Sequence, residues 1–160
     1  MTSVEIDLRA RSFAEAATAF LALVEGLSVA QWHAPSADDR RPIGTIAHHV
    51  ALGHAIGHWR ILAAATGYPQ PLQQGTAEER NAAHAAGSQA PDRDATLRLL
   101  RTGAAAIADA IRSLRDDQLD TEISIGPVTR TVRQLVDGAR SHVVEHEATI
   151  RKSIGAEAPI

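Results

Sequence analysis

The feature that most constrains the fold is a set of apolar residues spaced three and four positions apart. The clearest stripe runs through Leu97, Leu100, Ala104, Ile107, Ile111 and Leu114. Such steps place side chains on one face of an α-helix, because the helix has about 3.6 residues per turn. The same spacing recurs before Gly26, between Pro42 and Gly67, and between Thr131 and Gly155. We therefore predict an all-α fold in which four long helices with short connections pack as an antiparallel four-helix bundle.

Helix starts are marked by Ser or Thr followed three residues later by Glu or Gln, the capping-box pattern. Four pairs fit it: Thr2 with Glu5, Ser28 with Gln31, Thr76 with Glu79, and Thr131 with Gln134. Two of these pairs predict short accessory helices, one that ends at Pro35 and one over residues 76–86. Residues 123–127 are typical of a short extended or hairpin-like piece.

Composition limits the classes of protein to which the chain can belong. With 160 residues and 44% hydrophobic content, we expect a single domain over residues 1–160. The net charge of −3, without a basic block, argues against a nucleic-acid partner. There is no apolar run of about 20 residues and no leader pattern, so we expect no membrane association and a cytoplasmic location. Abundant Ala and Arg suggest a bacterial, high-GC coding bias.

Two histidines of the last helix lie where apolar side chains are expected. His142 and His146 fall on the apolar stripe that runs from Val132 to Ile150. Buried imidazoles need partners for their ring nitrogens, and i, i+4 spacing on a helix lets two of them bind one metal ion. The run also spells H-x-x-E-H, a zinc-peptidase signature. Such peptidases need a further downstream carboxylate ligand, so we expect Glu145 to be a surface residue or an outer neighbour of the site.

The third ligand must come from another helix, and the chain has no cysteine to offer. The second long helix carries four histidines. His49 lies on its apolar side, whereas His48 lies about 100° further round, so we favour His49. His48 could take its place if the helix were slightly rotated. His54 and His58 form a second i, i+4 pair that is the main rival, and we expect it to line a pocket or face solvent.

The segments IGTIAHHVA at 43–51 and HVVEHEATI at 142–150 resemble the DinB-like superfamily of four-helix bundles. Its members hold a divalent metal with one histidine of the second long helix and two of the last. The resemblance thus selects His49, His142 and His146 as metal ligands. Residues 81–84 also resemble a segment of actinobacterial members, but the roles of Asn81 and His84 stay open, and the simplest expectation for His84 is a surface position.

The superfamily includes mycothiol and bacillithiol S-transferases and a mycothiol-dependent maleylpyruvate isomerase. The resemblance therefore implies a metal-dependent enzyme that transfers a low-molecular-weight thiol, or isomerises with its help, on a small-molecule substrate. It implies Zn as the metal, with Ni, Fe or Mn as alternatives. The alternative function is a non-catalytic, stress-associated metal- or ligand-binding bundle. The helices could also form a homodimer. No catalytic residue is assigned.

Overall fold

The four apolar stripes form four long helices in the computed structural model, which describes residues 3–68, 75–125 and 127–156. The helices are α1 Val4–Glu25, α2 Val29–His33, α3 Ile43–Ala65, α4 Ala77–Gly87, α5 Arg93–Arg112 and α6 Val132–Ala156. A 3₁₀ turn, Asp116–Gln118, and an antiparallel hairpin of β1 Glu122–Ile125 and β2 Val128–Thr131 connect α5 to α6. The all-α four-helix bundle is confirmed, and the hairpin accounts for the predicted extended piece.

Three of the four predicted capping boxes occur as reciprocal hydrogen bonds. They join Ser28 with Gln31, Thr76 with Glu79 and Thr131 with Gln134. The pair of Thr2 with Glu5 was the wrong choice for α1, because the Ser3 hydroxyl accepts the hydrogen bond of the Ile6 N–H at 3.2 Å. Thr2 itself lies outside the described residues. The helix therefore starts one residue later than the Thr2 pattern predicts, and a serine does the capping.

Ion pairs between helices show how the bundle is ordered. Glu25, the last residue of α1, pairs with Arg101 in the first half of α5, and its carbonyl accepts a hydrogen bond from Arg93, the first residue of α5, so these two helices run antiparallel. Arg9 of α1 pairs with Asp137 near the start of α6, so α1 and α6 run in the same direction. These pairs are largely exposed and each contributes at most about 1 kcal/mol. They mark the relative directions of the helices and contribute little to stability.

The helix α3 packs between α5 and α6, diagonally across from α1. It runs parallel to α5, since the Gln118 side chain just beyond α5 donates to the Ala65 carbonyl at the end of α3 at 2.7 Å. It runs antiparallel to α6, where Gly53 meets His142 and His49 meets His146. Two consecutive long helices that run in the same direction need a connection that returns along the bundle. The connection from α3 to α5 contains α4.

The core is largely aliphatic, and its large aromatic side chains among the described residues are Phe13, Phe20 and Trp32. Helices approach most closely where glycine removes a side chain. A Cβ on Gly103 of α5 would lie 2.6 Å from the Cβ of His54 on α3, so only glycine permits this spacing. Within the described ranges, none of the helices has both the length and the apolarity that crossing a membrane requires.

Candidate metal centre

Three imidazoles converge where α3 and α6 cross. One ring nitrogen from each of His49, His142 and His146 lies within 4.8 Å of the other two. The Nε2 atoms of His49 and His142 are 3.1 Å apart. The ring centroids are separated by 5.0 Å for His49 and His142, 5.1 Å for His49 and His146, and 4.7 Å for His142 and His146. The structure thus brings together the three histidines that the sequence singled out.

The backbone explains how the rings meet. His142 and His146 are one turn apart on α6, so both project from the same face. The facing position on α3 is Gly53, and a Cβ there would lie 2.7 Å from Cε1 of His142. The missing side chain makes room for the His142 ring against α3. His49 lies one turn before Gly53 and reaches the same point from the α3 side.

Burial keeps these imidazoles neutral. It lowers the pKa of His49 to about 4 and that of His146 to about 3, and the neighbouring imidazoles add to the effect. Burial also lowers the pKa of His142, although the Glu145 carboxylate opposes the shift. A neutral imidazole has a lone pair on one ring nitrogen, which is the form that binds a metal. At neutral pH all three side chains are therefore in the binding form.

The separation of the ring nitrogens fits a metal ion. Nitrogens bound to one tetrahedral zinc at about 2.05 Å lie about 3.3 Å from each other. The 3.1 Å between His49 and His142 is already close to this value, and the 4.8 Å limit on the other pairs requires only small ring movements. A set of three imidazoles without a carboxylate or thiolate suits Zn, Ni or Fe. The donor set and its spacing could thus hold a metal ion.

The three histidines open into a cleft of about 720 Å³ between α3, α4 and α6. Apolar side chains of α3, among them Leu52 and Ile56, form one wall. Their exposure, 37% and 44%, is high for large aliphatic residues and results from facing this cleft. Asn81 of α4 also lines the cleft. The sequence left the role of this residue open, and the structure gives its location. The volume is that of a site for a small molecule.

Among the described residues, the other histidines do not belong to the cluster of His49, His142 and His146. His48 faces α4, where its Nδ1 lies 3.0 Å from Nε2 of His84, so it does not replace His49 in the cluster. His84, expected at the surface, is partly exposed, and its ring stacks on His48 at 5.2 Å and lies 5.5 Å from that of His49. The cause is α4, which lines the cleft and so brings His84 beside His48. No periodicity in the sequence indicates where such a helix lies.

The rival pair on α3 does not join the cluster. His54 is 2% exposed and packs edge-on against Phe13 with ring centroids 5.7 Å apart. It lines the cleft, as the sequence suggested for this pair, and burial lowers its pKa to about 4. His58 is partly exposed one turn further along α3. A site built on His54 and His58 is therefore not what the described residues form.

Comparison with known proteins agrees with this architecture. Residues 12–150 match the sequence profile described as DinB superfamily. The chain belongs to the DinB superfamily. A comparison with curated protein sequences finds no significant match. The four-helix bundle described above is thus the fold of a DinB protein.

Two solved structures are similar to this DinB protein in fold. One is YfiT from Bacillus subtilis, described as a probable metal-dependent hydrolase with an unusual four-helix bundle topology, with 19% identity and a TM-score of 0.80 over 98% of this chain and 90% of that one. The other is a mycothiol-dependent maleylpyruvate isomerase, with 17% identity and a TM-score of 0.74 over 94% of this chain. The aligned region is only 63% of the isomerase chain.

Proposed function

We propose that this DinB protein is a metal-dependent enzyme that transfers a low-molecular-weight thiol to a small electrophile. His49, His142 and His146 would hold the metal. The observation that carries the proposal is the convergence of three neutral imidazoles at a point that opens into a cleft. A purely structural metal site is closed by four protein ligands, whereas a catalytic one keeps a position open.

When bound, a divalent metal would lower the pKa of a coordinated thiol or water toward neutrality. Zn is the first expectation for three imidazoles, with Ni, Fe or Mn as alternatives. The protein's own part is to position the reactants and to exclude water. The neutral histidines bring no charge of their own, and the aliphatic α3 wall limits water beside the reacting atoms. Because the chain has no cysteine, the sulfur nucleophile has to be a separate molecule.

The likeness to the mycothiol-dependent isomerase supports a thiol as cosubstrate. That enzyme has chain beyond the region aligned here, so its own substrate and reaction do not transfer directly. We expect instead the step that a thiol-dependent isomerase and a thiol transferase share, namely attack of the thiolate on an electrophilic carbon.

The test is a rate assay with purified zinc-loaded protein, mycothiol or bacillithiol, and monobromobimane as electrophile. In this reaction the thiolate sulfur forms a bond to carbon, bromide leaves, and the thiol proton passes to solvent. We expect a rate above that of the free thiol, lost in metal-free protein and in His142→Ala. His33→Ala is the matched control, since His33 is exposed on α2, and it should keep the wild-type rate. If zinc-loaded protein is no faster than metal-free protein with either thiol, thiol transfer is excluded.

Hydrolysis is a second candidate, favoured by the likeness to the probable hydrolase over nearly the whole chain. Water would then take the place of the thiol at the same three histidines. A zinc-dependent release of nitrophenolate from p-nitrophenyl acetate in the absence of any thiol would support it. Metal-loaded protein that catalyses neither reaction would favour the non-catalytic binding function.

A further inference from the structure

The cleft has an apolar section directly beside the three histidines. Leu52 and Ile56 of α3 line it and are 37% and 44% exposed. Exposure alone does not mark a site, because single apolar side chains are common on protein surfaces. These two are distinguished by their position, since they follow His49 by three and seven residues and so lie on the same face of α3. An apolar surface therefore extends along the cleft from the metal centre.

Two other helices contribute apolar side chains to the same section. Gly53 of α3 lies opposite His142, and α6 runs antiparallel to α3, so the next turn of α3 faces the preceding turn of α6. That turn of α6 contains Ala139, which lines the cleft. Ile107 of α5 also lines it, and its Cδ1 would lie 3.3 Å from a Cβ on Gly57. The section is thus apolar on the sides that α3, α5 and α6 form.

Polar side chains limit the length of this section. Along α3 it begins at His49, and the next cleft residue on the same face beyond Ile56 is Arg60. On α6 the polar Gln134 lines the cleft near the start of the helix, and on the α4 side Arg80 does so. The helical rise places Ile56 about 10 Å along α3 from His49. This length suits a short alkyl chain or one aromatic ring rather than a long lipid chain.

We propose that the small-molecule substrate of the metal centre carries a short alkyl or aryl group that packs against Leu52 and Ile56. The proposal rests on the proposed function, because it describes the molecule that reacts at the three histidines. Covering apolar surface is favourable in proportion to the area removed from water. Sites for small molecules commonly combine such a wall with a few polar groups that fix the orientation of the ligand. Leu52 and Ile56 are then specificity-determining residues.

The experiment is a ligand-detected NMR titration of zinc-loaded protein with three uncharged, unreactive amides. They are N-butylacetamide, N-hexylacetamide and N-(2-methoxyethyl)acetamide, which is as long as the butyl compound but has an ether oxygen in place of one methylene. All three carry the same amide, so any contact of that group with zinc cancels in the comparison. A methylene that is fully removed from water strengthens binding about fourfold, and one covered on a single side about twofold. We therefore expect the hexyl compound to bind about fourfold more tightly than the butyl compound, and the ether compound to bind most weakly.

Variants assign the effect to the α3 wall. Leu52→Asn and Ile56→Asn should each weaken the binding of N-hexylacetamide about fourfold, which corresponds to the contact of about two methylenes, and should change that of the ether compound little. Leu62→Asn is the matched control, since Leu62 is also 37% exposed on α3 but does not line the cleft. It should bind N-hexylacetamide as the wild type does. Elemental analysis of each variant shows whether the zinc is still bound.

Equal binding of the three amides would overturn the proposal. So would wild-type affinity for N-hexylacetamide in both cleft variants, or an equal loss in Leu62→Asn, which would mean that the amide adsorbs to exposed apolar side chains in general. No reaction occurs in this titration, so its outcome is independent of the thiol-transfer assay. Binding that depends on Leu52 and Ile56 without thiol transfer would keep the apolar subsite and remove the proposed reaction, whereas the reverse result would remove only this inference.

Discussion

Gly53→Ala tests whether the close approach of α3 and α6 is there to place the His142 ring. The new Cβ would lie 2.7 Å from Cε1 of His142, while ordinary contacts of a Cβ begin at 3.4 Å. The ring must therefore retreat by about 0.7 Å. Bonds between a metal and imidazole nitrogen tolerate only about 0.2 Å of error. We expect the variant to bind zinc about 10- to 100-fold more weakly, although all three histidines are still present.

The same change should not weaken the fold. Alanine is more favourable than glycine inside a helix by about 1 kcal/mol, and the His142 ring can move toward the open cleft that it lines. Metal-free Gly53→Ala should thus be as stable as the wild type, or more stable, in urea denaturation. Weaker zinc binding in a chain that is equally stable is a combination that general damage to the bundle does not produce.

Competition with a chromogenic zinc chelator measures the affinity. Gly138→Ala on α6 is the matched control, because a Cβ there meets nothing within 4 Å. It should gain stability in urea and keep the wild-type zinc affinity. If Gly53→Ala also binds zinc as the wild type does, the His142 ring is not placed by this contact and the reasoning is refuted.

Three further predictions concern packing, pH and the choice of ligand. Gly44→Ala should lower the free energy of unfolding by about 1–3 kcal/mol in urea, because the new Cβ would overlap the buried Trp32 indole. The folded-state pKa of His54, about 4, lies below its value of 6.5 in the unfolded chain, so the unfolded state binds more protons between these values. The stability of metal-free protein should therefore fall as the pH drops through this window. In His54→Phe, which has no imidazole to protonate at this position, the fall should be smaller by on the order of 2–3 kcal/mol. Equal slopes of stability against pH in the variant and the wild type would contradict this. His48→Ala should retain zinc at the wild-type level in elemental analysis, since His48 contacts His84 rather than the cluster, and loss of zinc would mean that His48 is a ligand.

The helices could be predicted from the sequence because their signals are local. Apolar spacing within one segment gives the helix, and Thr131 with Gln134 gives its start, without knowledge of any other segment. The pairing of His142 with His146 follows from the same periodicity. The choice of His49 over His48 follows from their positions around α3. A rotation of one residue along a helix is about 100°, which is enough to separate an inward from an outward side chain.

The features that could not be predicted from the sequence depend on how separate segments pack. The helix α4 has no buried residue among those described, so no apolar stripe shows where it lies or that His84 faces His49. Arg60 and Arg80 are 20 positions apart in the sequence, yet both line the cleft between α3, α4 and α6. The importance of Gly53 likewise appears only when the register of α3 against α6 is known. Each of these features needs the tertiary structure.

The most direct test of the account is the divalent metal content of the purified protein, measured by elemental analysis beside that of His142→Ala and His33→Ala. We predict about one equivalent of metal per chain in the wild type and in His33→Ala, and a large loss in His142→Ala, because the remaining two imidazoles make a much weaker site. Equal metal content in the wild type and His142→Ala would contradict the central claim that the cluster of His49, His142 and His146 is the metal centre of this DinB protein.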